Sequence, residues 1–203
     1  MDEACQKENE TAERVYHQPV SPWALENLPG DPMMWILIVS EILVFGGALW
    51  AFAGNELLNP EIYREARTHL NVPLATLNTI ILLTSGLFAA IAVRFAKIKE
   101  IVKTRLALLG AGSLGVVFIA LKIFEYKEKL ALGLNVETNT FYTLYYLVTG
   151  FHLAHVIFGL IILSIIALWP TEDNMESGTA FWHMVDLIWV IIFPIFYLMG
   201  QGL

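Results

Sequence analysis

The sequence predicts an all-α integral membrane protein, a bundle of five transmembrane helices, and three observations carry that prediction. First, 57% of the 203 residues are hydrophobic and only 15% are charged, whereas soluble domains sit near 45 to 50% apolar with about a quarter charged. Second, the mean hydropathy is +0.61. Third, five runs, at residues 33–53, 74–93, 105–124, 141–169 and 180–200, each exceed the roughly 18 apolar residues that mark a bilayer-spanning helix. The chain divides into a polar acidic tail, residues 1–32, and a five-helix membrane domain, residues 33–203.

In the tail, Asp2, Glu3, Glu8, Glu10, Glu13, Glu26 and Asp31 outweigh Lys7 and Arg14. It lacks the basic start and short apolar core of a cleavable signal peptide, so the first span is expected to direct insertion. The net charge of -7 belongs to tail and loops and names no partner. Cys5 is the only cysteine, which excludes an internal disulfide or a cysteine-based metal cluster.

The first span holds Glu41 among Leu37, Ile38, Val44, Phe45 and Ala48. No cation is in reach along its own helix, so it is expected either to bond a Ser or Thr of a neighbouring helix or to act as a proton-exchanging or lipid-facing acid. Gly46-Gly47, and Ser85-Gly86 in the second span, are small pairs that let membrane helices approach closely. Gly110-Ala111-Gly112-Ser113-Leu114-Gly115 in the third span has the letters of a dinucleotide fingerprint. That motif works only between a strand and a helix start, so here it too reads as close packing. The third span ends in Lys122, Glu125, Tyr126, Lys127, Glu128 and Lys129, read as an interfacial salt-bridge cluster. The fourth span, 141–169, is longer than a membrane-normal helix requires and should tilt or project. Pro194 lacks an amide donor and should bend the fifth.

Orientation follows the basic residues, which are retained on the cytoplasmic side. The second loop holds Arg94, Lys97, Lys99, Lys103 and Arg105. The first holds Arg64 and Arg67, the third Lys127 and Lys129, and the stretch from Pro170 to Thr179 none. The second loop is therefore expected inside, which puts the amino terminus in the cytoplasm and the carboxyl terminus outside.

Ionisable groups at bilayer depth are the candidate functional residues, because hydrocarbon disfavours each by roughly 2 to 3 kcal/mol unless protein or water meets it. Tyr145, Thr149, His152 and Gly159 lie along one stripe of the fourth helix with His155 beside it. Trp182, Asp186, Trp189, Phe193 and Tyr197 form a second stripe on the fifth, and the two stripes are expected to face each other. His152, His155, His183 and Asp186 are read as forming interhelical hydrogen bonds that fix packing. Ligation of a metal or haem by His152, His155 and His183 is the competing reading. Depth argues against it, since His183 is placed near the inner end of its helix and His152 roughly 16 Å below the outer start of its own. The expectation is no catalytic residue and no metal of the chain's own.

Several of these residues stand in recognisable order. Val39-Ser40-Glu41-Ile42-Leu43, Trp50-Ala51-Phe52, Leu77-Asn78-Thr79 and Leu83-Thr84-Ser85-Gly86 come first. Glu125-Tyr126, Thr149-Gly150-Phe151-His152, His155-Val156 and Gly159 follow, then Trp182-His183-Met184-Val185-Asp186, Trp189 and Tyr197. The set resembles the haem-copper oxidase subunit III family over about Met33 to Gly200. Leu28-Pro29-Gly30-Asp31, Glu176-Ser177-Gly178 and Phe193-Pro194 look like the branch associated with nitric oxide reductases.

The resemblance implies a subunit that docks on a haem-copper oxidase subunit I or a nitric oxide reductase catalytic subunit. Haem, copper or iron is then expected only in that partner. It places Glu41 at the family's buried first-span acid, and Glu125, His152, His155, His183 and Asp186 in an interhelical polar cluster that holds the bundle together. Longer members have two further amino-terminal helices forming a lipid-holding cleft; these are missing here, although bound phospholipid stays compatible with the chain. The function expected is non-catalytic support of assembly, stability and proton delivery in respiratory electron transport, in a bacterial cytoplasmic (inner) membrane and with no nucleic-acid partner. The alternatives are a self-contained membrane haem or metal redox protein and a proton-linked transporter built around Glu41. The lack of an internal repeat disfavours the transporter.

Overall fold

The computed structural model describes residues 32–199. The acidic tail, Cys5 and the Leu28–Asp31 motif lie outside the described residues. Helix α1 runs Pro32–Leu58, a short α2 Pro60–Thr68, α3 Val72–Lys97, α4 Ile101–Ala131, α5 Thr140–Leu168 and α6 Glu172–Phe193, continued by a π-helical turn over Pro194–Leu198. Among the described residues five helices are long and apolar enough to cross a membrane: Met34–Leu58, Val72–Lys97, Ile101–Ala131, Thr140–Leu168 and Asp173–Leu198. The fold is all-α, and the protein is an integral membrane protein.

Local chemistry sets the helix starts. The Asn71 Oδ1 accepts from the Leu74 amide at 3.1 Å and the Asn139 Oδ1 from the Tyr142 amide at 3.1 Å, each meeting an amide that the first turn leaves unpaired. Gly133, at φ 78°, takes the left-handed conformation just past α4 that glycine adopts without steric cost.

Two boundaries differ from the sequence reading. The stretch from Pro170 to Thr179 is not a loop: the Thr171 hydroxyl caps α6, accepting from the Asn174 amide at 3.4 Å. Asp173 supplies an acid at the positive end of the helix dipole. The first loop is also not plain connection, since α2 buries Tyr63, Ala66 and Arg67 and exposes Glu61, Arg64 and Glu65. The α6 boundary also corrects the depth of His183, which stands ten residues beyond Asp173, in the middle of its span and not near its end.

In packing, α3 lies against α4 and α6, and α5 against α4 and α6. The last span is the centre of the bundle: 56% of its most apolar window is buried, against 17% for α1. Helix α1 is held by one aromatic edge, with Phe45 on Phe151 at 5.3 Å and Phe52 on Tyr63 at 4.9 Å and Phe196 at 4.1 Å.

Four helices meet at Trp182. Its indole lies where Cβ atoms of Gly115 and Gly159 would fall, at 2.8 and 2.7 Å. Its Nε1 donates to the Ser85 Oγ at 3.1 Å, which in turn donates to the Ala111 carbonyl at 2.7 Å. The small residues of α3, α4 and α5 therefore admit a large ring from α6. Gly46 and Gly47 play no such part, since nothing stands within 4 Å of a Cβ added at either.

Candidate functional site

The two polar-aromatic stripes face each other along α5 and α6. Tyr145 bonds Tyr197 through their hydroxyls at 3.0 Å, His152 stacks on Trp189 at 5.1 Å, and Gly159 holds Trp182. The structure distributes the candidate polar residues along this seam and its margins in four places.

Glu125 is the centre of the first. Its Oε2 accepts from the Lys122 Nζ at 2.9 Å. Its Oε1 accepts from the Lys129 Nζ at 2.8 Å, the Tyr145 hydroxyl at 2.9 Å and the Tyr197 hydroxyl at 2.8 Å. Lys122 also donates to the Tyr197 oxygen at 3.0 Å and the Tyr145 oxygen at 3.3 Å, and its ammonium stands 5.0 Å from the Trp189 ring centre. Lys122, Glu125 and Lys129 are 1 to 2% exposed, so this is a buried triad and not the solvated interfacial cluster expected from sequence. One carboxylate meets two cations and two hydroxyls, and thereby ties α4 to α5 and to the π turn.

Arg67 builds the second place. It is 4% exposed and makes a bidentate pair with Glu56, Nη1 to Oε1 and Nη2 to Oε2, the latter at 2.8 Å. Its Nε and Nη2 donate to the Phe196 and Ile195 carbonyls at 3.4 and 3.3 Å. Those carbonyls belong to the last helical turn, where intrahelical donors run out, and the flat guanidinium fork meets both them and the carboxylate. The regular α-helix ends at Pro194, the position that lacks an amide donor, and continues as the π turn.

The third place joins α1 to α5. Glu41 meets an imidazole from another helix: its Oε2 lies 3.1 Å from the His155 Nε2, without hydrogen-bond geometry. The His155 Nδ1 contacts the Phe151 carbonyl at 2.8 Å. His152, one turn away, is wholly buried, with Phe45 and Phe118 edge-on and neither ring nitrogen bonded to protein.

The fourth place is His183 with Asp186. The Asp186 carboxylate sits in the notch of Gly86, whose added Cβ would fall 2.1 Å from Oδ2. The His183 Nδ1 is 3.8 Å from that oxygen, an electrostatic contact too long for a hydrogen bond. The structure therefore does not gather Glu125, His152, His155, His183 and Asp186 into one cluster. Among the described residues no group of three or more His, Cys, Asp or Glu side chains stands close enough to hold a metal ion.

A groove of about 600 Å³ opens between α4 and α5, lined by Leu109, Gly112, Ser113, Leu160 and Ser164 with Arg105 at one end. Both serines bond back to their own helices, and the Arg105 guanidinium caps the Ala167 and Leu168 carbonyls at 3.0 and 3.4 Å. The walls are apolar and the mouth is cationic.

Residues 31–201 match the family model of cytochrome c oxidase subunit III. The chain is 32% identical over 181 residues to a cytochrome c oxidase subunit 3 of Thermostichus vulcanus, covering 82% of this chain and 85% of that one. It is 29% identical over 177 residues to a cytochrome c oxidase subunit 3 of Bacillus subtilis, covering 82% and 84%. A third relative is a haem-copper oxidase subunit I+III of Aeropyrum pernix, 28% identical over 180 residues. That match takes in 81% of this chain and spans only 22% of the relative's length.

Proposed function

The chain belongs to the cytochrome c oxidase subunit III family, and from that premise we propose that it is a non-catalytic accessory subunit of a respiratory haem-copper complex. The observation that carries the reading is the use made of the deepest ionisable groups. Glu125 accepts from four donors on three elements of the bundle, and Arg67 on α2 joins α1 to the π turn. Buried charges matched this fully serve to fix helices against one another.

The partner in this reading is a subunit I type of catalytic chain that carries haem with copper or iron. A relative whose name joins subunits I and III supports that pairing. The Glu176-Ser177-Gly178 and Phe193-Pro194 wording favours a nitric oxide reductase as the complex served. The subunit shields the catalytic chain and keeps its proton-entry surface ordered, with Glu41 as the proton-exchanging or lipid-facing acid. The groove at Arg105 suits a phospholipid, acyl chain on apolar walls and phosphate on the guanidinium. The setting is a bacterial cytoplasmic membrane with the amino terminus inside.

Deleting the chain tests this. Haem content of the complex should stay largely intact while activity decays faster during turnover. Parallel loss of haem and complete inactivity from the first turnover would overturn the reading.

A further inference from the structure

His183 occupies a position that lipid cannot satisfy. It stands ten residues into the Asp173–Leu198 span, roughly 15 Å at helical rise, which is the middle of a hydrocarbon layer about 30 Å thick. Its side chain is 45% exposed. The other ionisable groups at comparable depth are covered: His155 and Glu41 at 14% and 21%, Asp186 at 7%, and His152 wholly. Acyl chains offer no hydrogen-bonding group, so a half-open imidazole at this level needs a polar neighbour supplied by protein.

The imidazole also cannot withdraw into the bundle. Asp186 fills the notch that Gly86 leaves in α3, and the carboxylate faces the Nδ1 edge of the ring. That leaves the opposite edge, Nε2, as the ring nitrogen open to a partner's polar group.

The surroundings form a helix-sized seat. Leu187, Val190 and Ile191 continue from His183 at steps of four, seven and eight, and are 49%, 39% and 42% exposed. On α3, Ile80, Leu83 and Leu87 are 56%, 50% and 59% exposed. The two spans are antiparallel, because two crossings lie between them, and Gly86 meets Asp186. At about 100° per residue from that contact, both sets fall on the same side of the pair. The result is one apolar face with a single hydrogen-bonding ring at its middle.

We infer that the α3–α6 face centred on His183 seats a transmembrane helix of the partner catalytic subunit, and that this helix presents a hydroxyl or amide side chain to the imidazole. The inference rests on the accessory-subunit reading and adds where docking occurs and through which side chain. A helix is the occupant because exposed loop backbone is excluded at this depth and lipid phosphate cannot reach it.

The test uses the complex in native membranes. A photoreactive phenylalanine analogue is placed at Leu187, and at Leu109 on the groove side, 71% exposed, as control. Leu187 should crosslink to the large haem-bearing subunit and Leu109 should not. His183→Ala should lower retention of this chain on the complex about tenfold in mild detergent, and His183→Gln should restore most of it. Lipid adducts alone at Leu187, a crosslinked pair of this chain, or crosslinking of the large subunit only from Leu109 would each overturn the inference while leaving the accessory role standing. Purification without any haem-bearing large subunit would instead remove the role itself.

Discussion

Replacing Glu125 with alanine separates a buried charge network from an ordinary interfacial one by magnitude. The carboxylate lies 2.9 Å from Lys122 and 2.8 Å from Lys129, and two tyrosine hydroxyls reach it at 2.9 and 2.8 Å. Its removal leaves two ammonium groups, 1% and 2% exposed, without a counter-charge. Breaking a buried pair in this way costs about 3 to 5 kcal/mol. The two tyrosine bonds add only about 0.6 kcal/mol each in a membrane protein. A solvated surface pair would cost under about 1 kcal/mol. Unfolding by sodium dodecyl sulfate titration, followed by tryptophan fluorescence, should therefore show Glu125→Ala destabilised by at least about 3 kcal/mol, more than a hundredfold in the equilibrium constant. Changing Lys122, Glu125 and Lys129 together to Met should recover much of the loss, because apolar replacement of an entire buried network is often near neutral. A single variant within about 1 kcal/mol of wild type, or a triple variant worse than the single, would refute the reasoning.

Glycine substitutions should split by position. Gly159→Ala and Gly115→Ala drive a methyl into the Trp182 ring and should cost about 1 to 3 kcal/mol each, read as a lowered midpoint in the same titration, whereas Gly46→Ala, with open space around it, should be nearly silent. Arg67→Lys keeps the charge but loses the fork that holds Glu56 with the Ile195 and Phe196 carbonyls. It should expose the π turn to faster amide exchange and lower thermal stability in detergent, and an unchanged exchange rate at Phe196 to Leu198 would contradict this. Asp186→Ala should weaken retention of the subunit on its complex more than the turnover of complexes that remain whole, measured as bound subunit against activity per haem.

The five spans and the two facing stripes were legible because hydropathy over 20 residues and a 3.6-residue period are properties of the local chain. Span ends were less so: the cap formed by Thr171 was present in the letters, but the polar stretch behind it resembles a loop by composition alone. The identity of partners was the least legible part. Glu41 meets His155 from another helix, and Arg67 meets carbonyls 128 and 129 positions away in the chain, and neither pairing leaves a local trace. Lys122, Glu125 and Lys129 did leave one, a spacing of three and four that puts all three on a single helix face. Their burial follows from Tyr145 and Tyr197 closing over them, which only the assembled bundle reveals.

The most direct test of the account is the composition of the complex purified in mild detergent through a tag on this chain. The account predicts a large subunit carrying all of the haem, and no Soret absorbance in the chain once it is separated from that subunit. Haem retained by the separated chain in stoichiometric amount, or purification of the chain with no haem-bearing partner, would contradict it.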